Sequence, residues 1–266
     1  MRKLKDLQSL AGRVAVVTGG AGALARAYEE VFTELGARVA IVDMDHASCA
    51  TRASEISELG GEALEVVLDL SDARTPEECV RTVMARWGRV DILVNNAALT
   101  GASGVPGYAV PFESQSLEAW NAAVQVNLTS AFQLIQAARI PLLESGHGSV
   151  INISSIYGNV GPNMNLYEGT SMGNPAAYAA TKGGLIALTK YLATLLAPGI
   201  RVNAVSPGGI ERGQPKTFLG RYEKLTPLGR MGTEEDLKGV VAFLASDASA
   251  YVTGQNILVD GGWTAW

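Results

Sequence analysis

A tyrosine and a lysine four residues apart, Tyr178 and Lys182, lie in the stretch Asn174-Pro175-Ala176-Ala177-Tyr178-Ala179-Ala180-Thr181-Lys182. Asn174 is a good N-cap, and Pro175 suits the first helical position, where its missing N–H has no partner to lose. On such a helix residues four apart stack one above the other, so the phenol and the ammonium project to the same side. A nearby cation and the positive end of the helix dipole both favour phenolate over phenol. A phenol ordinarily titrates near pH ~10. Brought closer to neutrality, it can hand a proton to a carbonyl oxygen or take one from an alcohol. The same residues also suit a half-buried tyrosine beside a solvated lysine, so the rest of the chain must decide.

A second constellation lies upstream. The apolar run Val14-Ala15-Val16-Val17 leads into Thr18-Gly19-Gly20-Ala21-Gly22-Ala23-Leu24-Ala25, and about twenty residues later a second strand ends at Asp43. A glycine-rich turn between strand and helix points backbone N–H groups and the helix N-terminus at a pyrophosphate. An acidic residue closing the second strand accepts hydrogen bonds from a ribose hydroxyl pair. Asp43 also repels a 2′-phosphate, and neither Gly22 nor Met44 supplies a cation to hold one. The expected cofactor is NAD(H) rather than NADP(H).

These residues need a scaffold, and the chain alternates almost without break. Strands are predicted at Val14–Thr18, Arg38–Asp43, Ala63–Leu68, Asp91–Val94, Ser149–Ile153, Arg201–Val205 and Ile257–Val259. Helices are predicted to Leu35, over Ala47–Leu59, Pro76–Trp87 and Leu117–Leu143, from the Tyr178 segment to Pro198-Gly199, and over Glu234–Ala245. Alternation of this kind means a parallel sheet with helices on both faces, joined by right-handed crossovers. Uninterrupted apolar runs such as Val39-Ala40-Ile41-Val42 and Ile92-Leu93-Val94 suit strands covered on both sides. With no internal repeat and no linker, residues 1–266 read as one domain.

Composition excludes other classes. The net charge of −5 and pI near 5.2 lack the basic footprint of a nucleic-acid partner. No apolar run approaches the ~20 residues of a membrane span, and no apolar core follows the basic N-terminus as in a secretory signal. Two cysteines, Cys49 and Cys79, and two isolated histidines, His46 and His147, form no metal-ligand spacing. No metal is expected, and a reducing cytoplasm is the default location.

Read together, Thr18-Gly19 with its small-residue turn, Asp69-Leu70, Asn95-Asn96-Ala97-Ala98, Asn127, Ser154-Ser155, Tyr178–Lys182, Pro207-Gly208 and Asp260-Gly261-Gly262 occur in order. The pattern resembles the single-domain short-chain dehydrogenases/reductases from Gly12 to Trp263. That resemblance implies a Rossmann-type, doubly wound, seven-stranded parallel sheet, an NAD(P)-linked oxidoreductase and a homotetramer. It implies that Tyr178 is the acid/base and that Lys182 lowers its pKa and binds the nicotinamide ribose. Ser155 would hold the substrate oxygen and Asn127 would support a proton-relay water. Cofactor contacts are implied at Gly19, Gly22, Leu24, Asp43, Asp69, Leu70, Asn96, Ala97, Tyr178, Lys182, Pro207 and Ile210.

The chain departs from the family pattern at three places. Ala23 and Ala25 stand where glycines are usual, and their methyl groups are expected to crowd the phosphate approach or the helix–strand contact. Ala98 replaces a glycine with a milder version of the same effect. Tyr178 follows Ser155 by 178 − 155 = 23 positions, a longer gap than is typical. Loops near 99–113, 156–174 and 207–229 are therefore read as substrate rims. Asn163, Asn165, Tyr167, Glu168, Thr170 and Ser171 suit a polyol, and segment 166–175 resembles family members from bacterial surface-glycan and unusual-sugar pathways. Arg212, Lys216, Arg221, Lys224 and Arg230 on the third loop suit a carboxylate or phosphate. The expected activity is oxidation or reduction of a secondary alcohol or ketone on a carbohydrate-type small molecule. The alternatives are an NADPH-dependent 3-oxoacyl-carrier-protein reductase and a dinucleotide-sensing protein without catalysis.

Overall fold

The computed structural model describes residues 1–266. Strands β1 (Val14–Thr18), β2 (Arg38–Asp43), β3 (Ala63–Val67), β4 (Ile92–Asn95), β5 (Gly148–Ile153), β6 (Ile200–Pro207) and β7 (Asn256–Val259) form one sheet in the order β3-β2-β1-β4-β5-β6-β7. Every pairing is parallel. Strands β1, β4 and β5 are buried along their whole length, which is why their sequences are nearly continuous hydrophobic runs. Alternate residues serve opposite faces. Ala15 and Val17 enter the core beneath α2 (Ala23–Glu34) and α9 (Lys238–Ala245). Val14 and Val16 enter the core beneath α4 (Thr75–Trp87), α6 (Ser130–Glu144) and α7 (Ala176–Leu196). This is the doubly wound α/β fold expected from the sequence, with α3 (His46–Glu58) beside β2 and β3.

The order of strands reverses between β1 and β4, and a crevice opens there above their C-terminal ends. Thr18 fastens its floor. Its hydroxyl donates to Val94 O (3.3 Å) and accepts from the N–H groups of Asn96 (3.0 Å) and Ala97 (3.1 Å). Behind the crevice a buried polar chain ties β4 to β5 and α7. Asn95 Nδ2 donates to Asn152 Oδ1, and Asn152 Nδ2 donates to Thr189 Oγ1, each over 2.8 Å.

Two local expectations are corrected, and one element is added. The helix predicted over Leu117–Leu143 is two helices, α5 (Leu117–Val124) and α6, separated by a wider π turn at Gln125–Thr129. Asn127 lies in that turn, and its carboxamide bonds across to another segment rather than along the helix. Such bulges recur at functional sites. The N-cap is also different: α7 begins at Ala176, and its first N–H donates to Gln115 Oε1 (3.1 Å), not to Asn174. Finally, a short N-terminal helix, α1 (Leu4–Gln8), was not expected; Arg2 just before it pairs with Asp247 at 2.7 Å. The third loop carries α8 (Lys216–Lys224). No helix is long and apolar enough to cross a membrane.

Candidate active site

The crevice is a cavity of about 710 Å³ that runs from Asp43 and the start of α2 to Tyr178, Ser155 and the third loop. At one end Gly19 makes the turn out of β1 with φ +61°, a conformation that favours glycine. A Cβ there would also meet Ala97 Cα at 2.9 Å, so the turn and the β4 end are packed backbone to backbone. Gly22 caps α2 without a side-chain bond. The first N–H groups of α2 therefore face the cavity lined by Gly22, Ala23 and Leu24, where the helix dipole favours an anion. Asp43 stands beside this turn. Its Oδ2 accepts from Ala21 N (3.1 Å) and its Oδ1 from Met44 N (2.8 Å). An unfilled helix N-terminus, a glycine turn and a carboxylate on one wall fit a dinucleotide. The fit extends to Asn96, Ala97, Pro207 and Ile210, which line the same space.

Asp69 and Leu70 do not line it. Asp69 is exposed and accepts from Ser71 N (2.8 Å), while Leu70 is buried in the core on the α4–α6 side. Of the two unusual alanines, Ala25 is fully buried and its methyl is absorbed into the core beneath α2. Ala23 is exposed on the cavity wall, so any crowding of a phosphate falls on that methyl alone.

Helix α7 brings Tyr178 and Lys182 to the other end, facing Ser155 just beyond β5. Lys182 is 2 % exposed, and its ammonium donates to Ile153 O (2.7 Å) and lies 5.6 Å from the Tyr178 ring centre. Ser154 Oγ donates to Lys182 O (2.8 Å), fixing this turn of α7 to the strand end. Burial pushes the Tyr178 phenol above its ordinary value, with Ser155 and Arg212 opposing it. Desolvation is the largest cause of that rise and outweighs the opposing hydrogen bond and charge. Asn127 does not line the cavity. Its Oδ1 accepts from Leu99 N (2.7 Å), and its Nδ2 donates to Leu99 O (3.1 Å) and Thr181 Oγ1 (3.2 Å), locking the first rim loop to α7.

Burial also lowers the Lys182 ammonium from 10.5 to about 8. Below pH 8 the folded and unfolded chains both hold this proton, and the cost of burying the charge is borne in full. Between pH 8 and 10.5 only the unfolded lysine keeps it, so the contribution of Lys182 to stability rises with pH. Denaturant unfolding of wild type and Lys182→Met across pH 7–10 is expected to show wild type gaining on the variant by roughly a few kcal/mol. A constant gap between the two would refute the burial argument.

The charged third loop is mostly spent on structure. Arg221 donates to the carbonyls of Asn165 (3.1 Å), Leu166 (3.4 Å) and Glu168 (2.6 Å), and Arg230 pairs with Asp236 at 2.7 Å. Lys216 and Lys224 do not line the cavity; Arg212 does, while paired with Glu234 at 3.1 Å. The polar rim is likewise corrected. Asn163 and Thr170 bond within their own loop, and of the six polar rim residues only Tyr167 reaches the cavity. The inner wall is aromatic instead, and its members Tyr157, Phe218 and Tyr222 were missed in the sequence along with Gln115.

Residues 19–264 match the family model described as "Enoyl-(Acyl carrier protein) reductase". The chain is 36 % identical over 260 residues to 2,5-dichloro-2,5-cyclohexadiene-1,4-diol dehydrogenase LinX of Sphingobium indicum, covering 96 % of this chain and 97 % of that protein. It is 35 % identical over 260 residues to the 3-oxoacyl-[acyl-carrier-protein] reductase FabG of Thermotoga maritima, covering 95 % and 98 %. Among solved structures, a gluconate 5-dehydrogenase from Burkholderia cenocepacia in complex with NADP and tartrate superposes with a TM-score of 0.88 at 31 % identity, covering 99 % and 100 %. An NAD+-bound xylitol dehydrogenase superposes with a TM-score of 0.84 at 30 % identity, covering 95 % and 99 %.

Proposed function

Because the chain belongs to the short-chain dehydrogenase/reductase family, we propose that it is an NAD(H)-dependent enzyme interconverting a secondary alcohol and a ketone on a polar, carbohydrate-type substrate. The observation that carries this reading is that Ser155, Tyr178 and Lys182 line the same cavity as the open N-terminus of α2 and Asp43. The nicotinamide, when bound, supplies or accepts the hydride at the carbinol carbon. Tyr178 takes the hydroxyl proton in oxidation and returns it to the carbonyl oxygen in reduction, and Ser155 holds that oxygen by a hydrogen bond. Lys182 supplies a buried positive charge that stabilises the Tyr178 phenolate and a donor for the nicotinamide ribose. Asn127 holds the first rim loop against α7 and supports a relay water. Gly19, Gly22 and Leu24 would receive the pyrophosphate side, Asp43 the adenosine ribose, and Asn96, Ala97, Pro207 and Ile210 the nicotinamide half. With this reading we also assign a homotetramer located in the cytoplasm.

The experiment is an oxidation screen with NAD or NADP, using cyclic and acyclic polyols, and the reverse reaction with a 3-oxoacyl thioester. NADH production from a polyol is the expected result. The likeness to FabG favours a second reading, acyl reduction, and turnover of the thioester with NADPH while every polyol stays inert would put it in place of the first.

A further inference from the structure

The substrate end of the cavity is built from segments far apart in sequence. Tyr167 packs against Phe218 with ring centres 5.5 Å apart, and Phe218 stacks on Tyr222 at 6.0 Å. Met172 and Met231 fill the spaces between them. This surface suits the C–H face of a ring.

One polar feature interrupts it. The hydroxyls of Tyr157 and Tyr167 meet at 3.0 Å, and both side chains line the cavity with Tyr178. Two phenols in one mutual bond use one proton, so the second O–H is free to turn toward a ligand. The Asn174 carboxamide sits behind Tyr167, buried and off the cavity wall, with no well-formed hydrogen bond of its own. Leaving a buried polar group unpaired costs about 1–3 kcal/mol. Asn174 does not cap α7, because Gln115 does. The cations that line the cavity are already engaged: Arg212 pairs with Glu234, and Lys182 donates to Ile153 O.

We propose that Tyr157 and Tyr167, with Asn174 positioning Tyr167 from behind, form a hydroxyl-binding subsite that selects a ring-shaped substrate with a second hydroxyl group. The reacting carbinol sits at Tyr178, the ring's C–H face lies on the aromatic wall, and the second hydroxyl meets the Tyr157–Tyr167 pair and takes the idle phenol proton. The inference rests on the alcohol-dehydrogenase reading above and narrows its substrate class to cyclic diols and polyols.

The test compares kcat/KM, at saturating NAD, for cyclohexanol, the 1,2-, 1,3- and 1,4-cyclohexanediols and acyclic threitol. The best diol is expected to exceed cyclohexanol by about tenfold or more, since a site built to bond a hydroxyl rejects the analogue lacking it. Tyr167→Phe keeps the ring against Phe218 and is expected to shrink that ratio about fivefold or more. The loss should come chiefly from a raised KM for the diol. Asn174→Ala is the second variant, and thermal unfolding checks that both variants fold. A diol-to-cyclohexanol ratio near one, or a ratio unmoved by both variants, overturns the subsite. Threitol turning over faster than every ring diol overturns it too, while leaving the dehydrogenase reading intact. If NADH binds and no alcohol reacts, the dehydrogenase reading itself has failed and the subsite falls with it.

Discussion

Tyr178→Phe is expected to lower kcat by roughly 10²–10⁴-fold, the range that a positioned proton donor or acceptor contributes. The substitution removes one oxygen and keeps the ring that packs at the first turns of α7. Cofactor affinity, read by NADH fluorescence, should stay close to that of wild type, because Gly22, Leu24 and Asp43 lie at the other end of the cavity. Loss of turnover together with loss of NADH binding would point to a damaged fold and not to missing chemistry. The same phenol sets a pH dependence with a definite sign. Its pKa is raised by burial, so the phenolate needed to accept a proton becomes more abundant as pH rises through the alkaline range. Alcohol oxidation should therefore speed up from neutral to alkaline pH. Ketone reduction uses the protonated form and should hold level before falling at high pH. Matching profiles for the two directions would exclude Tyr178 as the group that moves the proton.

Asp43 should give the second large effect. Wild type is expected to bind NADH at least about tenfold more tightly than NADPH, the scale of gaining or losing one hydrogen bond to a charged group. Asp43→Asn keeps an acceptor oxygen for one of its two N–H partners, Ala21 N or Met44 N, and removes the charge that a 2′-phosphate would meet. Adding Met44→Arg supplies the missing cation on an exposed side chain at the strand end. The double variant should reverse the preference, with NADPH binding improving by about 10–100-fold. Parallel titrations with the two reduced cofactors decide the matter. Equal wild-type affinity for both would remove the basis for assigning NAD, and the NADP found in the gluconate 5-dehydrogenase structure would then be the better guide.

How much was legible before folding depends on the range of each signal. Tyr178 and Lys182 are neighbours on one helix, and Gly19 to Asp43 span one strand–turn–helix–strand unit, so their sequence spacing carries their geometry. The apolar runs of β1, β2 and β4 announced a sheet covered on both faces, because a strand buried on both sides has no polar alternation to show. Ser155 was found only through a family pattern, since a serine after a strand has many ordinary uses.

Other features depended on distant partners. Asn174 has every local property of an N-cap, yet Gln115, 61 positions before Ala176, takes the Ala176 N–H and leaves the Asn174 carboxamide off the helix end. The bulge at Asn127 follows from bonds to Leu99 and Thr181, which no helical periodicity registers. Rim residues that looked polar turned back on their own loops, and Arg221 closed one rim loop onto another. The sequence by itself therefore determined the sheet, the cofactor turn and the tyrosine–lysine pair, because short-range periodicity and turn chemistry specify them. Only the tertiary structure decided what the substrate meets. Tyr157, Tyr167, Phe218 and Tyr222 become one aromatic wall with a single hydroxyl pair through contacts between separate segments, and residue type alone does not encode those contacts.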